Sequence, residues 1–149
     1  CYIIYRLLVN GKSQNGLGSG SSVNDYENNL IKKHEFTRPD KELDRINHIK
    51  TTGAQTGNVF IAYKNIDDID ALINGWKNDR SPVYDFISVD AVQHTVWIVN
   101  DDEAIKKITS LYKEEVPCTY HADGHHRAAS AAKMRENLGN NVKAGANYF

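Results

Sequence analysis

Five consecutive residues near the C-terminal end of the chain bring an acid, two imidazoles and a guanidinium together around a glycine. They are Asp123, Gly124, His125, His126 and Arg127. A strand-like run precedes this block and an alanine-rich helical stretch follows it, so the block lies where unpartnered backbone N–H groups and the helix dipole attract anions. Gly124 lets a ligand approach the backbone, and the planar fork of Arg127 matches phosphate geometry. The block therefore predicts a phosphate- or nucleotide-binding turn.

The alternative interpretation of this block is a polar turn that Asp123 caps, with the histidines facing water. Further side chains extend the predicted anion site. The Ser130 hydroxyl lies within reach of a phosphate, or else Ser130 is a small packing residue among alanines. Arg38 is the preferred clamp on an anion, and Arg45 is a second candidate. Three neighbouring charged residues are interpreted as a solvated helix face: Lys41, Glu42 and Asp44.

A second candidate group, His34 and Glu35, lies between two predicted helices, from which a carboxylate can project into a cleft. Glu35 is the candidate general base, acting on an acceptor hydroxyl or on a water, and His34 lies beside it. Asp123 is predicted to orient a histidine or a Mg²⁺ ion. The alternative is helix-end polarity, in which His34 complements the helix dipole and Glu35 pairs with a nearby lysine.

Metal binding is an alternative use of the same region. His121, Asp123 and His125 alternate, and on a continued strand they would share one face and could hold zinc or manganese. Gly124 interrupts that alternation, so we assign no metal ligands from the sequence. Mg²⁺ carried in with ATP or ADP is the preferred cofactor.

The apolar periodicity predicts an α+β fold with a mixed sheet and flanking helices. A hairpin is expected from a strand over residues 1–9, a turn region over 10–16 and a partner strand over 17–22. Helices are expected over 24–31, 37–49, 66–76 and 105–112, and further strands over 59–63, 83–89, 93–99 and 117–123. We interpret residues 1–149 as a single domain, or as a fragment truncated at both ends.

Composition restricts the partners. The formal net charge is −1, with no basic tail, which disfavours nucleic acid and membrane surfaces and leaves a small phosphorylated ligand as the expected partner. Cys1 and Cys118 lie at opposite ends of the sequence, and no secretory or transmembrane run is present. The predicted location is the cytoplasm.

Three segments, residues 31–38, 40–45 and 122–132, closely resemble an uncharacterised bacterial and archaeal family, the domain-of-unknown-function family numbered ten-fifteen. The resemblance runs nearly end to end, although members of that family are longer. The 123–127 block is also similar to the phosphate-binding turn of the ParB and sulfiredoxin superfamily, which includes free-serine kinases. Sulfiredoxins have a reactive cysteine where this chain has His125, so the resemblance does not imply sulfinic-acid repair. The arginine-rich block and the helical DNA-binding domain of ParB proteins are not visible either.

These resemblances imply phosphoryl transfer or phosphate hydrolysis linked to serine or phosphoserine, because genes of the family tend to lie beside serine-biosynthesis genes. Two alternatives remain open at this point. One is a non-catalytic sensor of a nucleotide or a phosphorylated metabolite, and the other is a metal-dependent hydrolase.

Overall fold

A computed structural model describes residues 1–141 and 143–149. The strands are β1 (Tyr2–Val9), β2 (Lys12–Gly18), β3 (Ile31–Lys32), β4 (Phe60–Ala62), β5 (Tyr84–Ile87), β6 (Gln93–Val99) and β7 (Thr119–Asp123). The α-helices are α1 (Val23–Glu27), α2 (Pro39–Thr52), α3 (Asp67–Asn78), α4 (Asp102–Glu115) and α5 (His125–Leu138), followed by short 3₁₀ turns at Gly139–Asn141 and Ala144–Asn147. The α+β class with a mixed sheet and flanking helices is confirmed.

The chain divides into two compact units, each assembled from two separate stretches of sequence. Unit 1 comprises residues 1–19 and 65–116, and unit 2 comprises residues 20–64 and 117–149. Every residue of the predicted site belongs to unit 2.

Unit 1 is built on an antiparallel sheet with the order β2-β1-β6-β5. Ile4 of β1 lies opposite Trp97 of β6, and both side chains are buried. The apolar stripe of α3 is also buried, at the helical spacing of Ile69, Ile73 and Trp76. Each such side chain contributes about 1.5–3 kcal/mol when it is fully removed from water.

Unit 2 contains a small mixed sheet in which β7 is central. Strand β3 pairs with β7 in parallel, and β4 pairs with it in the antiparallel direction. Helices α2 and α5 pack against each other, and the small side chains of α5 belong to the core. The buried members of this core are Val23, Tyr26, Ile31, Ala128, Ala129 and Ala132. The central strand therefore leads straight into the helix that begins at the 123–127 block.

Two local predictions were wrong. Residues 30–31 were expected to lie in a helix, but α1 ends at Glu27 and Ile31 begins strand β3. His34 and Glu35 therefore follow a strand rather than lying between two helices. The partner strand of the hairpin begins at Lys12, because Asn10 and Gly11 both have positive φ and form a two-residue turn. In the part of the chain that is described, no helix is both long and apolar enough to cross a membrane.

Candidate functional site

A pocket of about 260 Å³ opens at the N-terminal end of α5. We call it the α5 pocket, and its lining residues are Glu35, Lys41, Arg45, Asp123, Gly124, His125, His126 and Arg127. All five residues of the block that was singled out from the sequence thus lie around one cavity, together with the candidate base Glu35.

The backbone of the α5 pocket is shaped by Gly124, the N-cap residue of α5. Its φ of 89° lies in the left-handed region, which glycine adopts without steric cost. A Cβ atom at this position would lie 3.2 Å from the Cα of Val59, so the residue before β4 and the start of α5 approach closely here. Among the described residues no side chain caps α5, and the predicted alternative of a cap by Asp123 is wrong. The first turn of α5 therefore presents its positive dipole end to the pocket.

Arg127 is held in place by the loop that precedes β4. Its Nη1 donates a hydrogen bond to the carbonyl oxygen of Asn58, and its Nη2 lies 3.9 Å from Oδ2 of Asp123. The side-chain stem crosses Gly57, where an added Cβ would lie only 2.8 Å from Cδ of Arg127. The guanidinium is therefore positioned before any ligand arrives.

Two further cations of the pocket, Lys41 and Arg45, lie one turn apart on α2. The interpretation of Lys41 as part of a solvated helix face did not predict that this residue lines the pocket. Arg38, the preferred clamp, instead pairs with its neighbour Asp40, with Nη2 2.8 Å from Oδ2, and lies outside the pocket lining. The backbone N–H of Arg38 donates to Nε2 of His126 at 3.2 Å. The i, i+4 spacing of Lys41 and Arg45 was the pattern that could have indicated the pair.

Ser130 is fully buried one turn into α5 and lies outside the lining of the pocket. Its hydroxyl lies 2.6 Å from the carbonyl oxygen of His126 and 3.2 Å from that of Glu42, so Ser130 joins α5 to α2. The structure thus matches the packing interpretation of this residue.

Glu42 is also buried, with 4% of its surface exposed, so its interpretation as a solvated residue was wrong. Its carboxylate accepts hydrogen bonds from Lys133 and Thr37. Burial alone raises the pKa of this carboxyl, but the bonds from Lys133 and Thr37 outweigh burial and hold the pKa below its usual range.

Three imidazoles lie close together next to Glu35, which lines the pocket. Oε2 of Glu35 lies 3.5 Å from Nδ1 of His125, whose side chain is only 7% exposed. The ring of His34 meets the ring of His125 edge-on with a centroid separation of 4.5 Å, and the ring of His121 lies at the same separation from the ring of His125. The three residues His34, Glu35 and His125 each offer a metal-ligand atom, and these atoms lie within 4.8 Å of one another.

Burial strongly affects the protonation of His121. His121 is 1% exposed, and burial lowers its pKa to about 4, with the charges of His125 and His34 acting in the same direction. Neither ring nitrogen of His121, nor Nε2 of His125, has a hydrogen-bond partner among the described residues. The histidines were expected to face water in the alternative interpretation of the block; for His125 that expectation is wrong.

Comparison of the sequence with known protein families gives a match. The chain matches, over residues 1–149, a family described as protein of unknown function (DUF1015). The chain belongs to this family. No curated protein and no solved structure gives a significant match.

In this DUF1015 chain, sequence reasoning found the block at the start of α5 and the neighbouring Glu35, but not all that surrounds them. Lys41 on α2 and the loop residues Gly57 and Asn58 were missed. Gly57 contributes by having no side chain, which leaves room for the stem of Arg127. A glycine has no functional group that would identify it in the sequence as part of the site.

Proposed function

We propose that this chain binds the phosphate group of a small phosphorylated metabolite in the α5 pocket and catalyses phosphoryl transfer or hydrolysis there. One observation supports the proposal above the others. The uncapped N-terminal end of α5 and the cationic side chains of Lys41, Arg45 and Arg127 converge on one cavity. A helix dipole and several cations around one cavity are the features that bind phosphate in proteins.

The size of the pocket favours a small ligand. Its volume of about 260 Å³ lies just below the range of about 300–1,000 Å³ that is typical of ligand pockets. A phosphate on a three-carbon amino acid suits this volume better than a whole nucleotide does. Serine or phosphoserine, which the family resemblance implies, is therefore the proposed substrate.

The proposed chemistry assigns each side chain a task. Arg127, His125 and His126 stabilise the charge on the phosphate, as the similarity to the ParB and sulfiredoxin turn implies. Glu35, exposed at the pocket wall, takes the proton from an acceptor hydroxyl or a water. For transfer, the proposed donor is ATP or ADP with Mg²⁺, of which only the terminal phosphate would enter the α5 pocket, and the exposed carboxylate of Asp123 is the proposed Mg²⁺ partner.

Binding of phosphoserine and of inorganic phosphate by isothermal titration calorimetry tests the pocket. Arg127→Ala and Arg45→Ala should each weaken binding by about 10-fold to 100-fold, because each removes a charge-assisted contact of roughly 1.5–3 kcal/mol. Arg38→Ala is the matched control, since Arg38 pairs with Asp40 outside the pocket. Equal affinity in the wild type and both pocket variants would refute the proposed site.

Turnover tests the catalytic half of the proposal. Glu35→Gln should abolish the release or transfer of phosphate while the affinity for phosphoserine is kept, because the amide cannot accept the proton. If the wild-type chain binds phosphoserine and shows no turnover with water or with Mg²⁺-nucleotide, the chain is a sensor and not an enzyme.

A further inference from the structure

Three side chains with metal-donor atoms lie close together at one side of the α5 pocket. His34 and Glu35 come from the segment after β3, and His125 comes from the start of α5. These segments lie far apart in sequence, yet one nitrogen or oxygen of each residue lies within 4.8 Å of the others. Two imidazoles and one carboxylate with an open side form the ligand set of many catalytic transition-metal sites.

The burial of His125 is a second observation. Its side chain is 7% exposed, and the nitrogen that faces Glu35 is Nδ1, 3.5 Å from Oε2. The ring of His34 also lies against this imidazole, with a centroid separation of 4.5 Å. The fold thus holds a buried imidazole in contact with a carboxylate and a second imidazole, and a bound cation accounts for this arrangement.

We propose that His34, Glu35 and His125 bind a divalent transition-metal ion, for which Zn²⁺ is the best match to the donor set. Ligand atoms on one tetrahedral zinc ion are about 3.4 Å apart, given bonds of about 2.1 Å. The Glu35 oxygen and the His125 nitrogen already lie 3.5 Å apart. His34 and Glu35 are exposed, so their side chains can close the remaining distance without disturbing the core.

Zn²⁺ binding itself does not require a bound phosphate, but its consequence for chemistry rests on the proposed function. Glu35 and His125 also line the α5 pocket, so the open side of the ion faces the bound phosphate. A metal-bound water would give one proton to solvent and attack phosphorus, the ester P–O bond would break, and the departing alkoxide would take up a proton. In that state Glu35 is a ligand, and the hydroxide takes over the task of the base. The metal therefore favours hydrolysis over transfer.

The experiment is a titration of the full chain, stripped with a chelator, with Zn²⁺ followed by calorimetry and with Co²⁺ followed by visible absorption. We expect one Zn²⁺ ion per chain and the intense absorption of low-symmetry Co²⁺. His34→Ala should weaken Zn²⁺ binding at least about tenfold and abolish the Co²⁺ bands. His48→Ala, at another exposed histidine on α2, is the matched control and should bind like the wild type. No binding by the wild type, or equal binding by the His34 and His48 variants, would overturn the proposal.

The two proposals can fail separately, because His34 lies outside the pocket lining and Arg45 lies outside the metal group. His34→Ala should lose Zn²⁺ and keep inorganic phosphate in metal-free buffer, whereas Arg45→Ala should lose phosphate and keep Zn²⁺. Zn²⁺ binding without phosphate binding in the wild type would refute the proposed function alone. Phosphate binding without Zn²⁺ binding would refute the metal site alone.

Discussion

His121 is a histidine that the fold keeps uncharged at neutral pH. Its ring is buried beside Tyr26 and His125, and burial lowers its pKa to about 4 from an ordinary value of 6.5. In the unfolded chain the same imidazole takes up a proton as the pH falls below its ordinary pKa. Acid therefore favours the unfolded state at this residue.

This residue predicts a pH dependence of stability. The contribution of His121 is fully present above pH 6.5 and is lost as the pH falls toward 4, by about 3 kcal/mol in total. Urea unfolding at several pH values in this window, with a chelator present, should show a falling free energy of unfolding. His121→Leu, which cannot titrate, should flatten that slope, and an unchanged slope would contradict the assignment.

Gly57 offers a test of how Arg127 is positioned. In Gly57→Ala the new methyl group would meet Cδ of Arg127, which must move off its bond to Asn58. We expect the affinity for inorganic phosphate to fall by about 1 kcal/mol, roughly fivefold, with little change in melting temperature. Gly16→Ala, where the added Cβ meets nothing within 4 Å, is the control for the glycine-to-alanine change itself. Unchanged phosphate affinity in Gly57→Ala would show that the guanidinium does not need this loop.

The site could be predicted from the sequence only where chemistry is concentrated in consecutive residues. The 123–127 block could be recognised because its charged and imidazole side chains are consecutive in the sequence. Glu35 could be recognised because it directly follows a histidine. Arg38, the preferred clamp, lies outside the pocket lining, and its guanidinium pairs with Asp40, two residues away. Which charges of a helix face a pocket depends on the rotation of α2 against α5, and that rotation is set by packing.

At the scale of elements, hydrophobic periodicity predicted the positions of the longer helices and strands. The apolar spacing placed α3 and α4, and alternation placed β5 and β6. The failures concern one short strand and one turn. Strand β3 has two residues, and it is held by pairing with β7 rather than by any preference of its own. The glycine-rich strand β2 begins earlier than expected because the Asn10-Gly11 turn fixes its register on β1.

Helix α3 contains a glycine whose replacement should stabilise the protein. Gly75 is exposed in the interior of α3, and a Cβ there would meet nothing within 4 Å. Gly75→Ala should raise the free energy of unfolding by about 0.5–1 kcal/mol, because alanine restricts the unfolded chain and favours helix. Urea denaturation measures the change. A destabilised variant would mean that the backbone at residue 75 requires glycine.

At the scale of the whole molecule, the α+β class followed from the sequence, but the division into units did not. Each unit joins an early stretch to a late one, so no composition boundary or linker marks either of them. The parallel pairing of β3 with β7 joins residues 31 and 119, and β1 pairs with β6 across a similar span. Local patterns contain no information on which distant strands will pair.

The discontinuity of unit 2 also has a consequence during synthesis on the ribosome. The contact between Arg38 and His126 spans 88 residues, and β7 and α5 are translated after the other strands and α-helices of the two units. Until they emerge from the exit tunnel, β3 has no neighbour and the apolar side chains of Val23, Tyr26 and Ile31 have no α5 to cover them. A nascent chain that stalls before β7 therefore exposes these apolar side chains and lacks the 123–127 block that lines the α5 pocket.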